Sequence, residues 1–247
     1  MLFLAAAVVF VAMALVTNLG EFITAAFVIS GAILAMTGIF LLTFSLGEPV
    51  DPLLVGLLPV QGCSNLCRIT SDLGIPGKAY FLPPRVTGEA RVMQFNPTQA
   101  YQGSLISAKG SFPETGPAGL VTPPFCDPFI QALKKNNALV IPDKEEKISQ
   151  LLREITGDLF GFAQRISVSW QGATVTITFH GFRSIDGCKT AARDSPDCCA
   201  RFPCTACSFC GTVLAEGKDS VVTLNRCSVG PNARDVTAVF VIVPQPD

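Results

Sequence analysis

The sequence predicts an α+β protein: an N-terminal transmembrane helical hairpin, then a globular domain with an antiparallel sheet and helices packed on one face. Two observations carry this. Met1–Val16 and Phe22–Leu46 are apolar runs separated by Thr17-Asn18-Leu19-Gly20-Glu21, and Glu21 is the only charge before residue 47. Residues 164–247 then read as strand pair, helix, strand pair, the order expected of a sheet covered by helices.

Each apolar run is close to the roughly 20 residues a helix needs to cross a hydrocarbon core of about 30 Å. In the second run, Ser30, Gly31, Ala35 and Gly38 recur at close helical spacing and let a partner backbone approach. Phe27, Ile33, Leu34, Phe40, Leu41 and Leu42 are left for lipid or the partner helix. The Ala-rich first run suits that small-residue face. It lacks the basic start of a signal peptide. The first basic residue after the second run is Arg68, too far for a strong positive-inside signal. The amino terminus and the basic residues of the body favour a two-pass protein of the cell membrane with a cytoplasmic body.

The segments divide as 1–46 transmembrane hairpin, 47–76 hinge and juxtamembrane helix, 77–163 α+β region, and 164–247 Cys-rich hairpin–helix–hairpin. Leu53–Leu73 reads as a helix that Pro59 and Gly62 kink or divide. Lys78–Leu82 and Ala90–Phe95 read as a strand pair, and Gly119–Val121 as a short strand. Phe129–Lys135 is expected as a helix and Ala138–Ile141 as a strand. Asp143 is placed to cap a helix carrying Ile148, Leu151, Leu152 and Ile155 on one face, ended by Gly157. Ile166–Trp170 and Thr174–Phe179 alternate apolar and polar residues about Gln171-Gly172-Ala173, a hairpin with one buried face. A Cys-rich connection leads to a helix over Pro203–Glu216, and Val221–Cys227 pairs with Val236–Val243.

The chain carries 18 basic and 19 acidic residues, so removing Glu21 leaves a neutral body. A neutral body has no field to draw nucleic acid, which is excluded as a partner. The expected partners are membrane lipid and, through the hairpin, a protein partner or a second copy of the chain.

Of ten cysteines, seven fall within residues 188–227: Cys188, Cys198, Cys199, Cys204, Cys207, Cys210 and Cys227. The double Cys-x-x-Cys of Cys204, Cys207 and Cys210 suits thiolate ligation of zinc or an iron–sulfur cluster. Cys199, Cys204, Cys207 and Cys227 are the candidate metal set. Helical phase supplies another reading. Thr205, Ser208, Thr212 and Glu216 share a polar face, while Cys207 and Cys210 point into the core as small hydrophobes. Disulfide or redox pairing is the third reading. Cys63 and Cys67, at i and i+4, read as a core stripe, and Cys126 shows no partner. His180, the only histidine, reads as a polar strand end, Trp170 as a core anchor, and Asp186, Asp194 and Asp197 as loop acids. No serine elbow, Walker loop or dinucleotide motif is present, so no catalytic residue is assigned.

Leu73-Gly74-Ile75 with Tyr80-Phe81-Leu82-Pro83-Pro84, then Gly119-Leu120-Val121-Thr122-Pro123-Pro124, then Cys204-Thr205-Ala206-Cys207-Ser208 running to Leu214-Ala215-Glu216 resemble one family. It is a family of uncharacterised archaeal membrane proteins with a two-helix anchor and a cytoplasmic α+β domain. Its members carry Cys-Pro-x-Cys-Ser where this chain has Thr205. The resemblance implies architecture and locale, and no activity. The C-terminal third is also similar to ligand-binding domains of the 4-vinyl reductase type, whose late cysteines surround a ligand or metal pocket. The second cysteine expected after the turn is missing from Asn232–Val243.

The leading functional expectation is a membrane-anchored, non-enzymatic sensor, ligand-binding or scaffold subunit of a membrane complex. The alternatives are a metal- or thiol-dependent redox protein using the cysteine cluster, and an extracytoplasmic envelope protein stabilised by disulfides.

Overall fold

The computed structural model describes residues 2–16, 20–44, 52–108, 110–135 and 139–244. The expected turn residues Thr17–Leu19, the hinge over 47–51 and Ala138 lie outside them. The chain forms two compact units, Met1–Val50 and Asp51–Asp247.

The first unit is a pair of helices, α1 (Leu2–Val16) and α2 (Glu21–Phe44). The small residues do what their spacing predicts. A Cβ at Gly31 would stand 3.0 Å from Val11 Cγ2, and one at Gly38 would stand 3.0 Å from Leu4 Cγ. Ala7 and Ala14 are buried in the seam, and Phe10 and Phe27 meet at 5.7 Å beside it. The outer surface is apolar and exposed, including Ile33, Phe40, Leu41 and Leu42. Glu21–Leu42, 22 residues with mean hydropathy 2.3, is long and apolar enough to cross a membrane. So, by length and composition, is Cys198–Gly217, but 83% of its apolar window is buried, which makes it the core of the body. The described part of α1, at 1.5 Å per residue, spans only about 22 Å.

The body opens with α3 (Pro52–Asp72), continuous through Pro59 and Gly62 where a kink or division was expected. A single proline removes one backbone hydrogen bond, and the helix runs on through the others. Next come β1 (Tyr80–Leu82), α4 (Pro84–Thr87), β2 (Met93–Pro97), β3 (Ser107–Ala108), β4 (Pro113–Thr115) and β5 (Gly119–Thr122). The helices α5 (Asp127–Lys135) and α6 (Glu145–Arg153) follow. Leu139–Ile141 is not a strand. Lys144, not Asp143, holds the cap position of α6, and it makes no side-chain cap bond. Nor does Gly157 end the helix. The chain passes into a π-helical turn over Glu154–Leu159, with the buried Thr156 hydroxyl bonded back to the Leu152 carbonyl.

The remaining elements are β6 (Arg165–Gln171), β7 (Thr174–His180), α7 (Ile185–Asp194), α8 (Cys198–Arg201), α9 (Thr205–Gly217), β8 (Val222–Val229) and β9 (Val236–Ile242). The Cys-rich connection read from the sequence is thus two helices. It lacks a long apolar period because α7 and α8 are short.

Seven strands form one antiparallel sheet in the order β5-β2-β1-β8-β9-β7-β6. Val175, Ile177 and Phe179 of β7 alternate inward, as do Val236, Ala238 and Phe240 of β9. That face packs on α9 and on Ile148 and Leu152 of α6. Helices therefore cover one face, as predicted, but the β5–β2–β1 end is covered on both. There Leu82, Phe95 and Val121 form a second core with Val86 of α4 and Tyr101.

The largest departure concerns α9. The middle of its expected polar face does not reach water: Ala206 to Ala215 are all buried, Ser208 and Thr212 included, while Thr205 and Glu216 at its ends are half-buried. A helix buried on all sides is a core helix. Its small residues allow close approach, with Gly211 against the ring of Phe81. Cys126, the cysteine without an evident partner, contacts this helix: its amide donates to Ser208 Oγ at 3.3 Å and its Sγ lies 3.3 Å from Thr212 Oγ1.

Candidate functional site: a five-cysteine centre

Four elements bring five cysteines together. Cys188 comes from α7, Cys199 from α8, Cys204 and Cys207 from the start of α9, and Cys227 from β8. Their thiols sit near enough to influence one another's titration, Cys188 with Cys199 and Cys204, Cys207 with Cys204 and Cys227, and Cys227 with Cys199. The four candidate ligands Cys199, Cys204, Cys207 and Cys227 are all in this group. Cys188 is the member that sequence spacing did not single out. Cys210 is not: it is buried further along α9 and its thiol is pushed up by burial.

The charge in the group is uneven. The Cys199 thiol is pulled down to about 4, first by the hydrogen bond from Cys188 and then by that from Cys227. Cys204 is also lowered, first by Cys188 and then by Cys207. Cys204 holds the cap position of α9 with no capping hydrogen bond. The Ala206 and Cys207 amides of the first turn still lower it, as helix N-terminal N–H groups do for thiolates. Cys188, Cys207 and Cys227 move upward, because each keeps its proton for a neighbour. Cys199 and Cys204 are the more acidic thiols of the five.

Two cavities meet it. One, of about 110 Å³, is lined by Cys188, Cys198, Cys199 and Cys204 with Phe162, Phe182 and Phe202. The other, of about 480 Å³, is lined by Cys188, Cys199 and Cys227 with Asp197, Asn225 and Arg226. Cys188 and Cys199 line both. Cys199, Cys204 and Cys227 are half-buried as residues. The π-helical turn matters here because the chain leaves it through Phe160 to Phe162, which stacks on Phe160 at 5.8 Å and joins the aromatic wall. Among the described residues, no group of three or more His, Cys, Asp or Glu side chains is arranged to hold a metal ion.

A second constellation lies on the sheet. His180 Nδ1 is 3.2 Å from Asp235 Oδ2, and its Nε2 is 3.0 Å from Ser167 Oγ. The Ser–His–Asp order is that of a hydrolytic triad. Ser167 is exposed on the edge strand β6, however, and none of the described cavities touches it. Asp235 also accepts from the Gly181 amide at 3.0 Å and from Asn232 at 2.9 Å, which ties the β8–β9 turn to the end of β7. The histidine is a strand-end residue with partners. Of the acids beside the cysteines, Asp186 pairs with Lys189 at 3.5 Å and Asp197 lines the larger cavity.

No protein-family model, curated protein or solved structure matches the chain. The two resemblances read from the sequence therefore assign no family.

Proposed function

We propose that the protein is a two-pass membrane-anchored module, with its body on the cytoplasmic side, that works as a thiol-dependent redox or sensor subunit through its five-cysteine centre. The observation that carries this reading is the gathering of Cys188, Cys199, Cys204 and Cys227 on two cavities that share Cys188 and Cys199, with Cys207 one turn along α9 from Cys204. Buried thiols acting only as small hydrophobes scatter through a core, as Cys126 and Cys210 do. Here five are gathered with no carboxylate or histidine between them. The chemistry such a centre supplies is exchange with a partner disulfide. Cys199 attacks one sulfur and releases the first partner thiolate. That thiolate takes the Cys227 proton, and Cys227 then attacks Cys199 Sγ and releases the second. Two electrons pass to the partner and one disulfide forms in the centre.

A second reading keeps the expected metal set. Cys199, Cys204, Cys207 and Cys227 are thiol donors, the soft ligand type of zinc and iron–sulfur centres, although among the described residues they are not arranged to hold an ion. One experiment separates the two. Full-length protein is purified anaerobically in detergent, its metal content is measured, and its thiols are alkylated before and after treatment with a dithiol–disulfide couple of set potential. Redox function predicts reversible loss of two centre thiols and metal well below one per chain. Stoichiometric zinc or iron with labile sulfide selects the metal reading. Five thiols that stay reduced at every potential, with no metal, overturn both. A membrane-impermeant maleimide on intact cells tests the orientation: labelling of the centre before lysis would refute a cytoplasmic body.

A further inference from the structure

The sulfur pair outside the centre has geometry of its own. Cys67 of α3 and Cys198 of α8 are buried, and their Sγ atoms lie 2.7 Å apart. This is only about 0.7 Å more than a disulfide bond. With Cys63 and Phe202 they form a small separate core. Beside them is a buried cation. Arg201, 8% exposed, ends α8 and sends its guanidinium to Thr70 Oγ1 at 2.8 Å, Ser71 Oγ at 2.9 Å and the Ile75 carbonyl at 3.0 Å. These acceptors are all neutral, and Arg201 Nε has no hydrogen-bond partner. Cys67 Sγ donates toward Cys198 Sγ and lies 3.9 Å from the Cys198 carbonyl, and its thiol is lowered, first by the contact with Cys198 and, among the further lowering influences, by the Arg201 charge. Cys198 also lines the smaller cavity, so one sulfur of the pair borders a void beside the core.

We propose that Cys67 and Cys198 are a peroxide-responsive dithiol that closes into a disulfide and locks α3, the first helix of the body, to α8. The inference rests on none of the five residues of the centre. In the first step Cys67 thiolate attacks one peroxide oxygen and the O–O bond breaks. The departing hydroxide takes the Cys198 proton and becomes water, leaving Cys67 as sulfenic acid and Cys198 as thiolate. In the second step Cys198 attacks Cys67 Sγ, the S–O bond breaks, and the hydroxide is protonated by solvent. Two thiol sulfurs lose two electrons to one peroxide, and two waters form. Burial limits further oxidation of Cys67, because the second sulfur is already in contact when the sulfenic acid appears.

The consequence is mechanical. The bond would close a loop from position 67 to position 198 and add about 10 °C to the melting temperature of the body.

The test uses reduced full-length protein in detergent, treated with a small excess of hydrogen peroxide. The readouts are peptide mapping after alkylation and thermal unfolding followed by the fluorescence of Trp170, the only tryptophan. The expected result is a Cys67–Cys198 cross-linked peptide, reversed by dithiothreitol, with a matching rise in melting temperature. Cys67→Ser and Cys198→Ser abolish both, while Cys227→Ser, which breaks the centre, leaves the link intact. Wild-type protein that keeps its native melt but gives either no link or Cys67 sulfinic acid overturns the proposal. So does a link that appears only when Cys227 is present, since that would make it a product of the centre. If either serine variant fails to fold, the wild-type melting shift with and without peroxide decides alone: no shift refutes.

Discussion

Replacing Gly211 with alanine sets two known effects against each other. Alanine stabilises a helix interior by about 1 kcal/mol relative to glycine. At this position, however, the new methyl carbon would stand 2.5 Å from Phe81 Cδ2 and 2.6 Å from Phe81 Cζ. Carbon atoms rest at about 3.5–4.0 Å, so the ring must retreat by about 1 Å. Phe81 is fully buried on β1, between β2 and β8, and α9 is buried on every side. Neither element has slack, so the overpacking cost sits near the upper end of the usual range, about 3 kcal/mol. The net is a loss of about 2 kcal/mol, or roughly 4–8 °C in melting temperature for a body of this size. Urea and thermal unfolding followed by Trp170 fluorescence read it directly. Phe81→Leu should relieve the clash, so the double variant should be more stable than the sum of the single changes by at least about 1 kcal/mol. A Gly211→Ala protein as stable as wild type, or more so, would refute the close packing of α9 on the sheet.

Stability should fall in alkali. Burial pushes the Cys126 thiol up to about 11 from an unfolded value of 9.0, although Ser208 and Thr212 partly oppose the shift. Between those values the unfolded chain releases this proton while the folded one keeps it. The contribution is therefore whole below 9.0 and is lost as pH rises through about 11, amounting to roughly 2–3 kcal/mol for this one group. Cys63, also raised by burial, to about 12, extends the decline. Cys126→Ala should flatten the slope of stability against pH over this window; an unchanged slope contradicts the assignment. Ser149→Ala removes the acceptor of the Trp170 indole N–H, 2.9 Å away, and should cost about 1 kcal/mol together with a shift in tryptophan emission. Arg201→Met leaves Thr70, Ser71 and the Ile75 carbonyl without their donor, and a loss of about 3 kcal/mol is expected in urea unfolding.

The parts of this fold legible in the sequence are those where one element meets one environment. The strands β6 and β7 alternate because one face is buried, and α6 shows its stripe for the same reason; in β8 the alternation breaks at an irregularity between Leu224 and Arg226. The pairing of α1 with α2 was legible from Gly31 and Gly38, whose only packing use is close approach. The polar face assigned to α9 failed because Ser208 and Thr212 find buried partners in Cys126, a contact that local periodicity does not encode. The site was half legible. The double Cys-x-x-Cys marked Cys204 and Cys207, and density of cysteine drew in Cys199 and Cys227. Cys188 and the Cys67–Cys198 pair depend on how α7, α8 and α3 dock, over separations for which no spacing rule exists. The Ser167–His180–Asp235 set was equally hidden, since strand register alone aligns it.

The strand order has a consequence for how the chain is made. β8 and β9, which follow the other strands of this sheet in chain order, occupy its middle, with β1 on one side and β7 on the other. Until they emerge from the ribosome, the earlier strands exist as two unconnected pieces, β5-β2-β1 and β7-β6, each with a bare edge. Unpaired edges of this kind invite pairing between chains. A nascent chain stalled before residue 222 should therefore depend on chaperones or aggregate. The same order makes the C-terminal hairpin the closing wedge of biosynthesis, and β8 carries Cys227, so the last sulfur of the centre arrives with the step that completes the sheet.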